Sequence, residues 1–322
     1  MRVLITGGAG FIGSNIADAL VARGDEVVVY DNFTTGQREF LRELKGKSSA
    51  SVIEGDILDE LALTQALDGC DQVIHLAANA DVRHGLDQPS VDLEQNTIGT
   101  FTVLSAMRQA GVKRILFSST GSVYGDPEQF PTPETCPFPR QTSLYGASKL
   151  AGEGMIQAFC EGYGFTGVIC RFVSILGERY THGHLFDFYR KLLENPTQLS
   201  VLGDGNQTKS YLYVGDCVQA LMLLIDKAQP GTCCAFNLGT DETTDVHSSI
   251  GVITRHMGLE PVLEFGQSDR GWVGDSPMIH LDCSRLRALG WAPQLSVNES
   301  MIRTLQWFDS NNWVFEQKKR VS

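Results

Sequence analysis

The stretch Gly7-Gly8-Ala9-Gly10-Phe11-Ile12-Gly13 decides how this chain folds, because it joins a short apolar run to a helix-like segment. Val3-Leu4-Ile5 precedes it, and the segment from Asn15 to Arg23 follows it. Glycines at this spacing let the backbone turn sharply, approach a pyrophosphate closely and pack a helix against a strand. The helix N-terminus then presents free N–H groups and the positive end of its dipole to phosphates. A glycine-rich turn without a ligand is the alternative, but the strand, the helix and a later acidic residue together favour a dinucleotide site.

The next predicted strand ends in that acidic residue, which indicates the kind of dinucleotide. Glu26-Val27-Val28-Val29-Tyr30 shows little alternation of polar and apolar residues, as in a strand that is buried on both faces. Asp31 follows at the position where a carboxylate can accept hydrogen bonds from both hydroxyls of the adenosine ribose. It would repel a 2′-phosphate, and Asn32 brings no positive charge, so we expect NAD rather than NADP. An aspartate that only caps a turn is the alternative, and Thr35-Gly36 is expected in a loop near the same ribose.

Further residues that follow predicted strands are candidates for contact with the same cofactor. Asp56 comes soon after the short strand Ser51-Val52-Ile53 and can contact the adenine amino group, with a loop carboxylate that has no ligand as the alternative. Ala77-Ala78 follows a strand from Gln72 to Leu76, and small residues there leave room for a cofactor at the carboxyl edge of the sheet. Asn96 lies on a predicted helix from Asp92 to Ala110, from which it can reach either the cofactor or an adjacent loop.

Length and composition limit the class of protein. A chain of 322 residues can bury a large core, which favours two lobes. Its 26 Lys and Arg against 38 Asp and Glu give a net charge of −12, and no long basic run exists outside Lys318-Lys319-Arg320, so we expect no nucleic-acid partner. No apolar run approaches the roughly 18 residues of a membrane span, and a strand begins by residue 3, which argues against a signal peptide. The eight cysteines are scattered without metal spacing, so we expect reduced thiols and a cytoplasmic location.

Hydroxyl side chains and a Tyr–Lys pair form the candidate reaction centre. A predicted strand, Lys113-Arg114-Ile115-Leu116-Phe117, leads into Ser118-Ser119-Thr120-Gly121-Ser122, whose hydroxyls can bond a sugar hydroxyl and a phenol or form an ordinary turn. Tyr145 and Lys149 are four residues apart on a predicted helix that runs to about Tyr163, so they share one face. A phenol with a pKa of about 10 ionises more readily beside an ammonium and a nicotinamide cation, which makes Tyr145 a general base or acid near neutral pH. The alternative is a Tyr–Lys pair on the protein surface with no catalytic role, and the predicted dinucleotide-binding fold argues against it.

With these motifs together, the chain resembles the extended short-chain dehydrogenases/reductases of the nucleotide-sugar epimerase/dehydratase group, and within that group the UDP-glucose 4-epimerases. The resemblance covers essentially the whole length. It implies an α/β fold with a Rossmann-type, doubly wound parallel sheet and a smaller, interleaved α/β lobe that binds the substrate. The matching residues are 7–13, Asp31-Asn32, Gly55-Asp56-Ile57, His75-Leu76-Ala77-Ala78, Ser118-Ser119-Thr120, Val123-Tyr124-Gly125, 145–149, Gly203-Asp204-Gly205, Gln207, Tyr213-Val214, Asp216, Leu289-Gly290-Trp291 and Pro293.

The resemblance also implies a role for individual residues. Tyr145 would take the proton of the sugar 4-hydroxyl while hydride passes from C4 to a tightly bound, recycled NAD. Lys149 would bond the nicotinamide ribose and lower the pKa of the phenol, and Thr120 would share a short hydrogen bond with the substrate oxygen. The expected cofactor-binding residues are Gly7, Gly10, Phe11, Ile12, Gly13, Asp31, Asn32, Thr35, Gly36, Asp56, Ile57, Leu76, Ala77, Ala78, Asn96, Ser118, Tyr145, Lys149 and Phe172. The expected substrate contacts are Thr120, Tyr145, Ser174, Lys209 and Arg270, and no metal is expected.

Two residues after Thr120 narrow the reaction that the resemblance implies. The 4,6-dehydratases of this group carry Asp and Glu where the chain has Gly121 and Ser122, and the decarboxylases usually carry a glutamate at the second position. This difference favours epimerisation of a nucleoside-diphosphate sugar at C4, with a UDP-sugar as the expected substrate. The alternatives are another conversion through a 4-keto intermediate (decarboxylation, dehydration or C2 epimerisation) and a non-catalytic NAD(P)-sensing protein. Such sensors commonly lack a pair like Tyr145 and Lys149.

The second half of the chain departs from the family pattern where the substrate is expected. Ser174 replaces an asparagine that contacts the diphosphate region of the substrate. Lys209 replaces an arginine, which keeps the positive charge but not the bidentate geometry. Arg270 is the second candidate for the diphosphate, although its spacing to Gly274-Asp275 differs from the commoner pattern. Solvated surface charges are the alternative for both cations.

Two other features concern the same lobe. His182 and His184 have the spacing of metal ligands but no clustered carboxylate or cysteine partner, so we expect them in a loop that faces the substrate. Ile279 lies near the position that limits sugar size in the 4-epimerases, where a medium aliphatic side chain would admit an N-acetyl group.

We expect two interleaved lobes and a dimer. Residues 1–170 would form the NAD-binding domain, with 211–240 returning to it, and residues 171–210 and 241–322 would form the lobe that binds the nucleotide sugar. The resemblance implies a homodimer through a four-helix bundle of the helices near 92–110 and 145–163. Neither the sugar nor the nucleoside follows from likeness of fold.

Overall fold

The computed structural model describes residues 1–138 and 140–317, in which strands and helices alternate along most of the chain. Lys318-Lys319-Arg320 lies outside the described residues. The strands are β1 Arg2–Thr6, β2 Glu26–Asp31, β3 Ala50–Glu54, β4 Gln72–His75, β5 Arg114–Thr120, β6 Thr166–Phe172, β7 Ser174–Leu176, β8 Gln198–Val201, β9 Thr208–Lys209, β10 Tyr211–Tyr213, β11 Cys233–Leu238, β12 Thr244–Asp245, β13 Val262–Phe265 and β14 Met278–Ile279. The α-helices are α1 Phe11–Arg23, α2 Glu60–Ala66, α3 Val82–Asp87, α4 Pro89–Val91, α5 Gly99–Ala110, α6 Leu144–Tyr163, α7 His184–Glu194, α8 Val214–Lys227, α9 Val246–Met257, α10 Ser284–Arg287, α11 Val297–Ser310 and α12 Trp313–Gln317. Short 3-10 helices lie at Arg38–Leu44 and Gly121–Tyr124, and a π-helical segment lies at Asp92–Ile98.

The large sheet has the order β11-β6-β5-β4-β1-β2-β3, and every neighbouring pair in it is parallel. The chain first builds outward from β1 to β3 and then crosses over to β4 on the other side of β1. Ligands of such sheets bind beyond the carboxyl ends of the strands at the place where the order reverses. This topology confirms the predicted doubly wound α/β fold and places the glycine turn after β1 at the reversal.

The two faces of this sheet are buried under separate groups of helices. Along β1, Val3 and Ile5 pack into one core cluster with residues of α1 and α8, whereas Leu4 packs into the other with residues of α2 and α5. Alternate residues of a strand face opposite sides of the sheet, so a strand that is covered on both sides must be apolar throughout. This explains the continuous apolar runs of β1 and β2.

The predicted helix from Asp92 to Ala110 begins differently from an α-helix. Its first part is the π-helical segment Asp92–Ile98, and regular α5 starts only at Gly99. Asp92 and Asn96 are both buried and hydrogen bonded to each other in this segment. A side-chain Cβ at Gly99 would lie 2.5 Å from Ile57, so this glycine allows the helix to pack closely against the loop after β3. The predicted helix from Asp92 to Ala110 is therefore present, and its first part has π-helical geometry that the sequence pattern did not indicate.

The remaining strands form three small sheets beside the large one, with the orders β12-β9-β14, β10-β7 and β13-β8. Strand β11 is different, because it leaves this region and pairs with β6 in the large sheet. The division of the chain into two binding lobes stays a prediction. None of the helices in the described part of the chain combines the length and apolar character needed to cross a membrane.

Candidate functional site

The glycine turn brings backbone N–H groups to the reversal point of the sheet. Gly7 has a φ of 67°, and a Cβ there would lie 2.7 Å from the backbone nitrogen of Ala77. A Cβ at Gly13 would overlap with the carbonyl oxygen of Gly7. Helix α1 then starts with Gly10 as its N-cap, and neither a capping side chain nor an acidic residue occupies its first turn. The turn thus leaves N–H groups and a positive dipole end available to an anion.

The predicted ribose-binding carboxylate lies next to this turn. Asp31 ends β2 and is buried, and its Oδ2 accepts a hydrogen bond from the N–H of Ala9 at 2.9 Å. Its Oδ1 accepts one from the N–H of Phe33 at 2.8 Å, and burial raises the pKa of this carboxyl. Gly36 approaches closely enough that a Cβ there would lie 2.6 Å from Asp31 Oδ1. Asp31 therefore ties together the glycine turn and the loop after β2, which also carries Thr35.

A second carboxylate lies beyond the end of β3. Asp56 Oδ2 accepts a hydrogen bond from Asn32 Nδ2 at 3.1 Å, and its Oδ1 accepts one from the N–H of Leu58 at 2.9 Å. Its backbone carbonyl accepts one from the hydroxyl of Tyr30 at 3.0 Å, and Ile57 beside it is buried. The structure thus brings together the predicted residues Asn32, Asp56 and Ile57 at the same edge of the sheet.

A buried histidine supports the end of β4, and sequence reasoning assigned it no role. His75 Nδ1 lies 2.7 Å from the hydroxyl of Thr6, and its Nε2 lies 3.1 Å from the hydroxyl of Thr100. Burial lowers the pKa of His75 to about 3, so its imidazole is neutral. The hydroxyl of Thr6 also lies 3.3 Å from the N–H of Ala77, which fixes the backbone leading from Leu76 to Ala78. The one signal for this contact in the sequence is a histidine within an otherwise apolar strand.

Asn96 contacts an adjacent loop, which was one of its two predicted roles. Its Oδ1 accepts a hydrogen bond from the N–H of Asn79 at 2.8 Å, and its Nδ2 lies 3.2 Å from the carbonyl oxygen of the same residue. Nδ2 also lies 3.0 Å from Asp92 Oδ1 and 3.0 Å from the hydroxyl of Ser148. The Ser148 hydroxyl in turn donates to the carbonyl of Tyr145 at 2.8 Å. Asn96 therefore connects the loop after β4 with the first turn of α6.

The three predicted catalytic residues lie on the end of β5 and the start of α6. Ser143 caps α6 through a hydrogen bond from the N–H of Gly146 to its hydroxyl, at 3.0 Å. Lys149 is buried, and its Nζ donates to the carbonyl of Ser118 at 2.9 Å and lies 4.7 Å from the ring centre of Phe117. Thr120 ends β5, and its hydroxyl accepts a hydrogen bond from the N–H of Ser122 at 3.1 Å. A side-chain hydrogen bond thus brings Tyr145 and Thr120 together, and Lys149 contacts Ser118 on the same strand as Thr120.

The ionisation of these groups differs from that expected from their spacing alone. Burial, with a smaller contribution from the negative charge of Asp92, raises the pKa of Tyr145 to about 12, and a hydrogen bond with Thr120 opposes this rise. Burial lowers the pKa of Lys149 to about 7, against the carboxylates of Asp92 and Glu153, which raise it. The sequence predicts that Lys149 lowers the pKa of the Tyr145 phenol. In the structure, the Lys149 amine instead donates its hydrogen bond to the carbonyl of Ser118.

A buried ion pair, also missed in the sequence, lies behind the reaction centre. Arg171 on β6 donates to Glu153 on α6 through Nε at 3.0 Å and through Nη2 at 2.7 Å. The hydroxyl of Ser119 donates to the same carboxylate, and Arg171 Nη1 lies 2.7 Å from the hydroxyl of Tyr124. Glu153 is one turn after Lys149, so this network fixes α6 against β5 and β6. Nothing in the sequence indicated that Glu153 and Arg171 meet, because they lie on different elements.

The two predicted diphosphate ligands both bond to one residue, Asp275. Lys209 Nζ lies 2.6 Å from Asp275 Oδ1, and Arg270 Nη1 donates to the carbonyl of Asp275 at 2.7 Å. Arg270 Nη2 also lies 2.9 Å from Asp126 Oδ2. Asp275 is buried and its Oδ2 accepts a hydrogen bond from the N–H of Gly271 at 3.1 Å. Both cations are thus held in one region of the lobe, and Asp275 is the residue that sequence reasoning did not single out.

Other predicted residues lie close to the loop after β5. A Cβ at Gly121 would lie 3.4 Å from Ile279 Cγ2 and 3.5 Å from the carbonyl oxygen of Phe172. Ile279 pairs with Lys209 in the sheet of β9 and β14. Ser174 begins β7, which follows Phe172. These contacts link Ile279 and Phe172 to the residue after Thr120.

The two histidines of the predicted substrate loop are separated by an element boundary. His184 begins α7, and its Nδ1 lies 3.2 Å from the hydroxyl of Tyr211. His182 precedes that helix, and its ring centre lies 5.7 Å from that of Tyr180. Within residues 1–138 and 140–317, no group of three or more His, Cys, Asp or Glu side chains is arranged to hold a metal ion.

Comparison with known proteins gives a consistent set of relatives. Residues 3–239 match the NAD dependent epimerase/dehydratase family. The UDP-glucose 4-epimerase of Mycolicibacterium smegmatis is 33% identical over 315 residues, which cover 96% of this chain and 98% of that protein. UDP-glucuronic acid decarboxylase 1 of Arabidopsis thaliana is 31% identical over 317 residues, which cover 96% of this chain and 70% of that protein. The crystal structure of DesIV, a dTDP-glucose 4,6-dehydratase from Streptomyces venezuelae with NAD and TYD bound, has a TM-score of 0.88 at 28% identity and covers 97% of this chain and 98% of its own. These relatives are named for three different reactions, so the likeness identifies the group and leaves the reaction open.

Proposed function

The chain belongs to the NAD-dependent epimerase/dehydratase family, and we propose that it epimerises a nucleoside-diphosphate sugar at C4 through a transient 4-keto intermediate. It is an enzyme of that family, whose members carry out NAD-dependent conversions of nucleotide sugars. We further propose a UDP-sugar as the substrate, since the relatives named above include a UDP-glucose 4-epimerase and a UDP-glucuronic acid decarboxylase. The observation that carries the choice of reaction is the pair of residues after Thr120.

Gly121 and Ser122 offer no carboxyl group beside the reaction centre. Elimination of water needs an acid and a base near C5 and C6 as well as the group that acts at C4. Glu153, the nearest carboxylate on α6 beyond Lys149, is already held by two nitrogens of Arg171 and by Ser119. A site with hydroxyls at this position suits a reaction that oxidises C4 and reduces it again without a further acid.

The residues around the glycine turn fit NAD. A Cβ at Gly13 would overlap with Gly7, and the first turn of α1 has no capping side chain, so the backbone is open to a diphosphate. Asp31 would accept the ribose hydroxyls and, being negative, disfavours a 2′-phosphate. NAD bound there supplies the acceptor and donor of hydride at C4 and a positive charge on its oxidised ring. We propose that it stays bound through the catalytic cycle.

In this proposal the protein moves one proton and holds the sugar. Tyr145, ionised to the phenolate when the positive charge of oxidised NAD lies beside it, would take the proton of the 4-hydroxyl and return it after the configuration at C4 has changed. Thr120, which already hydrogen-bonds Tyr145, would hydrogen-bond the same substrate oxygen, and the buried Lys149 would bond the nicotinamide ribose of NAD. Lys209 and Arg270 hold the diphosphate, which leaves the sugar ring free to present its other face.

We also propose a homodimer built on the helices that carry these residues. Phe101 on α5 is 49% exposed and Leu93 on the preceding π-helical segment is 54% exposed. The ring of Phe101 contacts that of Phe159 on α6 edge to face at 6.4 Å, so the apolar surface continues from one helix to the next. Pairing this surface with a second copy would bury it and join two pairs of helices.

The experiment that tests the proposed reaction follows a deuterium label. UDP-glucose, UDP-N-acetylglucosamine, UDP-glucuronate, dTDP-glucose and GDP-mannose, each with deuterium at C4, are incubated with the purified protein without added NAD. NMR and mass spectrometry then give the position of the label and the mass of the product. A C4 epimer of unchanged mass that keeps deuterium at C4 is the expected result. Loss of carbon dioxide, or loss of water with deuterium moved to C6, would instead assign decarboxylation or dehydration.

The variant Tyr145→Phe is the control for the chemistry. It removes the group that carries the proton and keeps the ring, so we expect kcat to fall by about 10²–10⁴ with NAD still bound. Turnover that is unchanged in this variant would contradict the mechanism. Absence of turnover in both proteins, with NAD present, would favour the NAD-sensing alternative.

A further inference from the structure

One buried carboxylate near the reaction centre has no role in the mechanism above. Asp92 opens the π-helical segment and is 1% exposed. Burial raises the pKa of this carboxyl, while the hydrogen bond from Asn79 and the charges of His84 and Lys149 lower it. A fully buried carboxylate is costly unless its charge is compensated, so its presence here needs an explanation.

One oxygen of Asp92 belongs to a chain of hydrogen bonds that ends at Tyr145. Asp92 Oδ1 accepts from Asn79 Nδ2 at 2.8 Å and from Asn96 Nδ2 at 3.0 Å. Asn96 Nδ2 lies 3.0 Å from the hydroxyl of Ser148, which donates to the carbonyl of Tyr145 at 2.8 Å. The carboxylate therefore sets the position of the amide that supports the first turn of α6.

The other oxygen is left without such a contact. Among the side chains of the described residues, Asp92 Oδ2 is buried and has no hydrogen-bond partner. Gly85 on α3 lies against it so closely that a Cβ there would overlap with this oxygen. An unpaired buried oxygen usually costs about 1–3 kcal/mol, and a packing arrangement that keeps it in place indicates a use for its charge.

The charged and titratable groups that face this site come from several elements. Lys149 and Tyr145 face Asp92 from α6, His84 faces it from α3, and Asp81 faces it from the residue before α3. Glu153 faces Lys149 from the next turn of α6. Of these, Lys149 is the buried cation, and its hydrogen bond goes to a neutral carbonyl rather than to a carboxylate.

We propose that Asp92 is a positioning residue of the reaction: its buried carboxylate is the counter-charge to the buried amine of Lys149, and it fixes the helix turn of Tyr145 through Asn96 and Ser148. The inference rests on the proposed function for its effect on turnover, but its effect on Lys149 does not depend on the substrate. Sequence reasoning gave Asp92 no role beyond the start of a helix.

The negative charge of Asp92 changes the pKa values of Lys149 and Tyr145 in the same direction. A negative charge favours the protonated form of a neighbour, so it raises the pKa of the Lys149 ammonium and that of the Tyr145 phenol. Loss of the charge therefore moves both ionisations to lower pH. For a reaction that needs the phenolate and the ammonium together, the whole bell-shaped pH profile then moves to lower pH.

The test compares Asp92→Asn with Glu94→Gln in the full-length protein purified with its NAD. Asparagine keeps the shape and an acceptor oxygen for Asn79 and Asn96 while it removes the charge. Glu94 lies on the same segment but is exposed, so Glu94→Gln removes a charge that water screens. The pKa of Lys149 is measured by NMR of ¹³C-labelled lysine, with Lys149→Met used to assign the signal.

We expect the titration of Lys149 to move to lower pH by about one unit in Asp92→Asn and to stay in place in Glu94→Gln. The profile of kcat/KM against pH for the substrate identified above should move in the same direction. A lysine titration in Asp92→Asn that coincides with the wild type would overturn the proposal. A lowered rate with an unmoved profile would assign Asp92 a purely structural role and would overturn it as well.

The wild-type protein offers a second measurement should Asp92→Asn not fold. Linked sites perturb each other, so the ¹³Cγ signal of Asp92 should show an inflection at the pH where Lys149 titrates. That inflection should be lost in Lys149→Met. An Asp92 signal with no such inflection would contradict the proposed counter-charge. If the proposed function is wrong, turnover is absent in all variants while both NMR results still stand.

Discussion

At the scale of single residues, the surroundings of Lys149 decide its chemistry. The ammonium lies beside the ring of Phe117 and donates to one backbone carbonyl, that of Ser118. Removal from water favours the neutral amine, which lowers the pKa of Lys149 to about 7 despite two neighbouring carboxylates. The spacing of Tyr145 and Lys149 predicts that they share a helix face, but it carries no information on this burial.

The lowered pKa of Lys149 predicts how stability changes with pH. An unfolded lysine keeps its proton up to about pH 10.4, whereas the folded chain releases it near pH 7 because the pKa is about 7. Between these values the unfolded state binds more protons, so this residue makes the free energy of unfolding rise with pH. In Lys149→Met that contribution is absent. Urea unfolding at several pH values should therefore show the wild type gaining about 1–4 kcal/mol on the variant between about pH 7 and about pH 10.

The wild type and Lys149→Met also differ in stability by an amount that does not depend on pH. This amount does not affect the prediction, because only the change of the stability difference with pH is compared. Other titrating groups are common to both chains and cancel. A difference that is flat or that shrinks as the pH rises would contradict the burial of a lysine that is largely neutral above pH 7.

At the scale of elements, the first βα unit depends on close contact between glycines. Helix α1 begins at Phe11 and ends at Arg23, and its C-cap residue Gly24 has a φ of 97°, which suits glycine. The contact of Gly13 with the carbonyl oxygen of Gly7 sets how near the helix approaches the strand. That closeness also brings the first N–H groups of α1 to the place where a diphosphate is expected.

Gly13→Ala tests this contact. The added methyl group would overlap with a backbone oxygen that cannot rotate away, so the turn must open. We expect the free energy of unfolding to fall by about 1–3 kcal/mol and the affinity for NAD to fall by about tenfold or more. Chemical denaturation and calorimetric titration with NAD measure the two effects.

The matched control is Gly154→Ala on α6. Gly154 is exposed, and a Cβ there would have no atom within 4 Å. Alanine is favoured over glycine inside a helix, so we expect a gain of about 0.5–1 kcal/mol and unchanged NAD binding. Equal effects of the two substitutions on stability and NAD affinity would contradict the role given to the contact between Gly7 and Gly13.

At the scale of the whole molecule, a buried ion pair joins elements that are distant in the sequence. Arg171 on β6 and Glu153 on α6 are both almost fully buried and make two hydrogen bonds with each other. Tyr124 connects this pair to Asn237 on β11, at 2.9 Å. The pair thus links β6, the edge strand β11 beside it and the helix that carries Tyr145 and Lys149.

Glu153→Ala should destabilise the protein more than the loss of an exposed pair. Removal of one partner leaves the Arg171 charge buried without compensation, which typically costs about 3–5 kcal/mol. Arg38→Ala removes a partner from the exposed pair of Arg38 and Glu54, whose side chains are both 62% exposed, and should cost less than about 1 kcal/mol. Denaturant unfolding of both variants measures the difference. Similar losses in the two would contradict the role given to the buried pair.

The proposed dimer is tested by a charge on its expected surface. Phe101→Glu places a carboxylate in the apolar patch between α5 and α6, which should disfavour pairing. Leu202→Glu, at a residue in the other lobe that is 52% exposed, is the control. Sedimentation should show a dimer for the wild type and for Leu202→Glu and a monomer for Phe101→Glu. A wild type that sediments as a monomer would refute the dimer.

The resemblance to a known family implied the doubly wound sheet, whereas the sequence alone determined the glycine turn, the strand and helix beside it, and the pairing of Tyr145 with Lys149 on one helix. These features follow from local patterns, since strand and helix periodicity, turn residues and a spacing of four are set by neighbours along the chain. Lys209 and Arg270 stay predicted substrate contacts, and the structure brings them together at Asp275, through its carboxylate and its backbone carbonyl respectively.

Only the tertiary structure decided which charges are buried and what compensates them. His75, Asp92, Glu153 and Arg171 are buried and have hydrogen-bond partners on other elements or loops, and Asp92 and Asn96 are also hydrogen bonded to each other within the π-helical segment. Such contacts depend on the distances between segments in the folded chain. The pKa values depend on how completely folding removes the charged groups from water. Local sequence patterns contain neither quantity, which is why the ionisation of the reaction centre could be derived only from the fold.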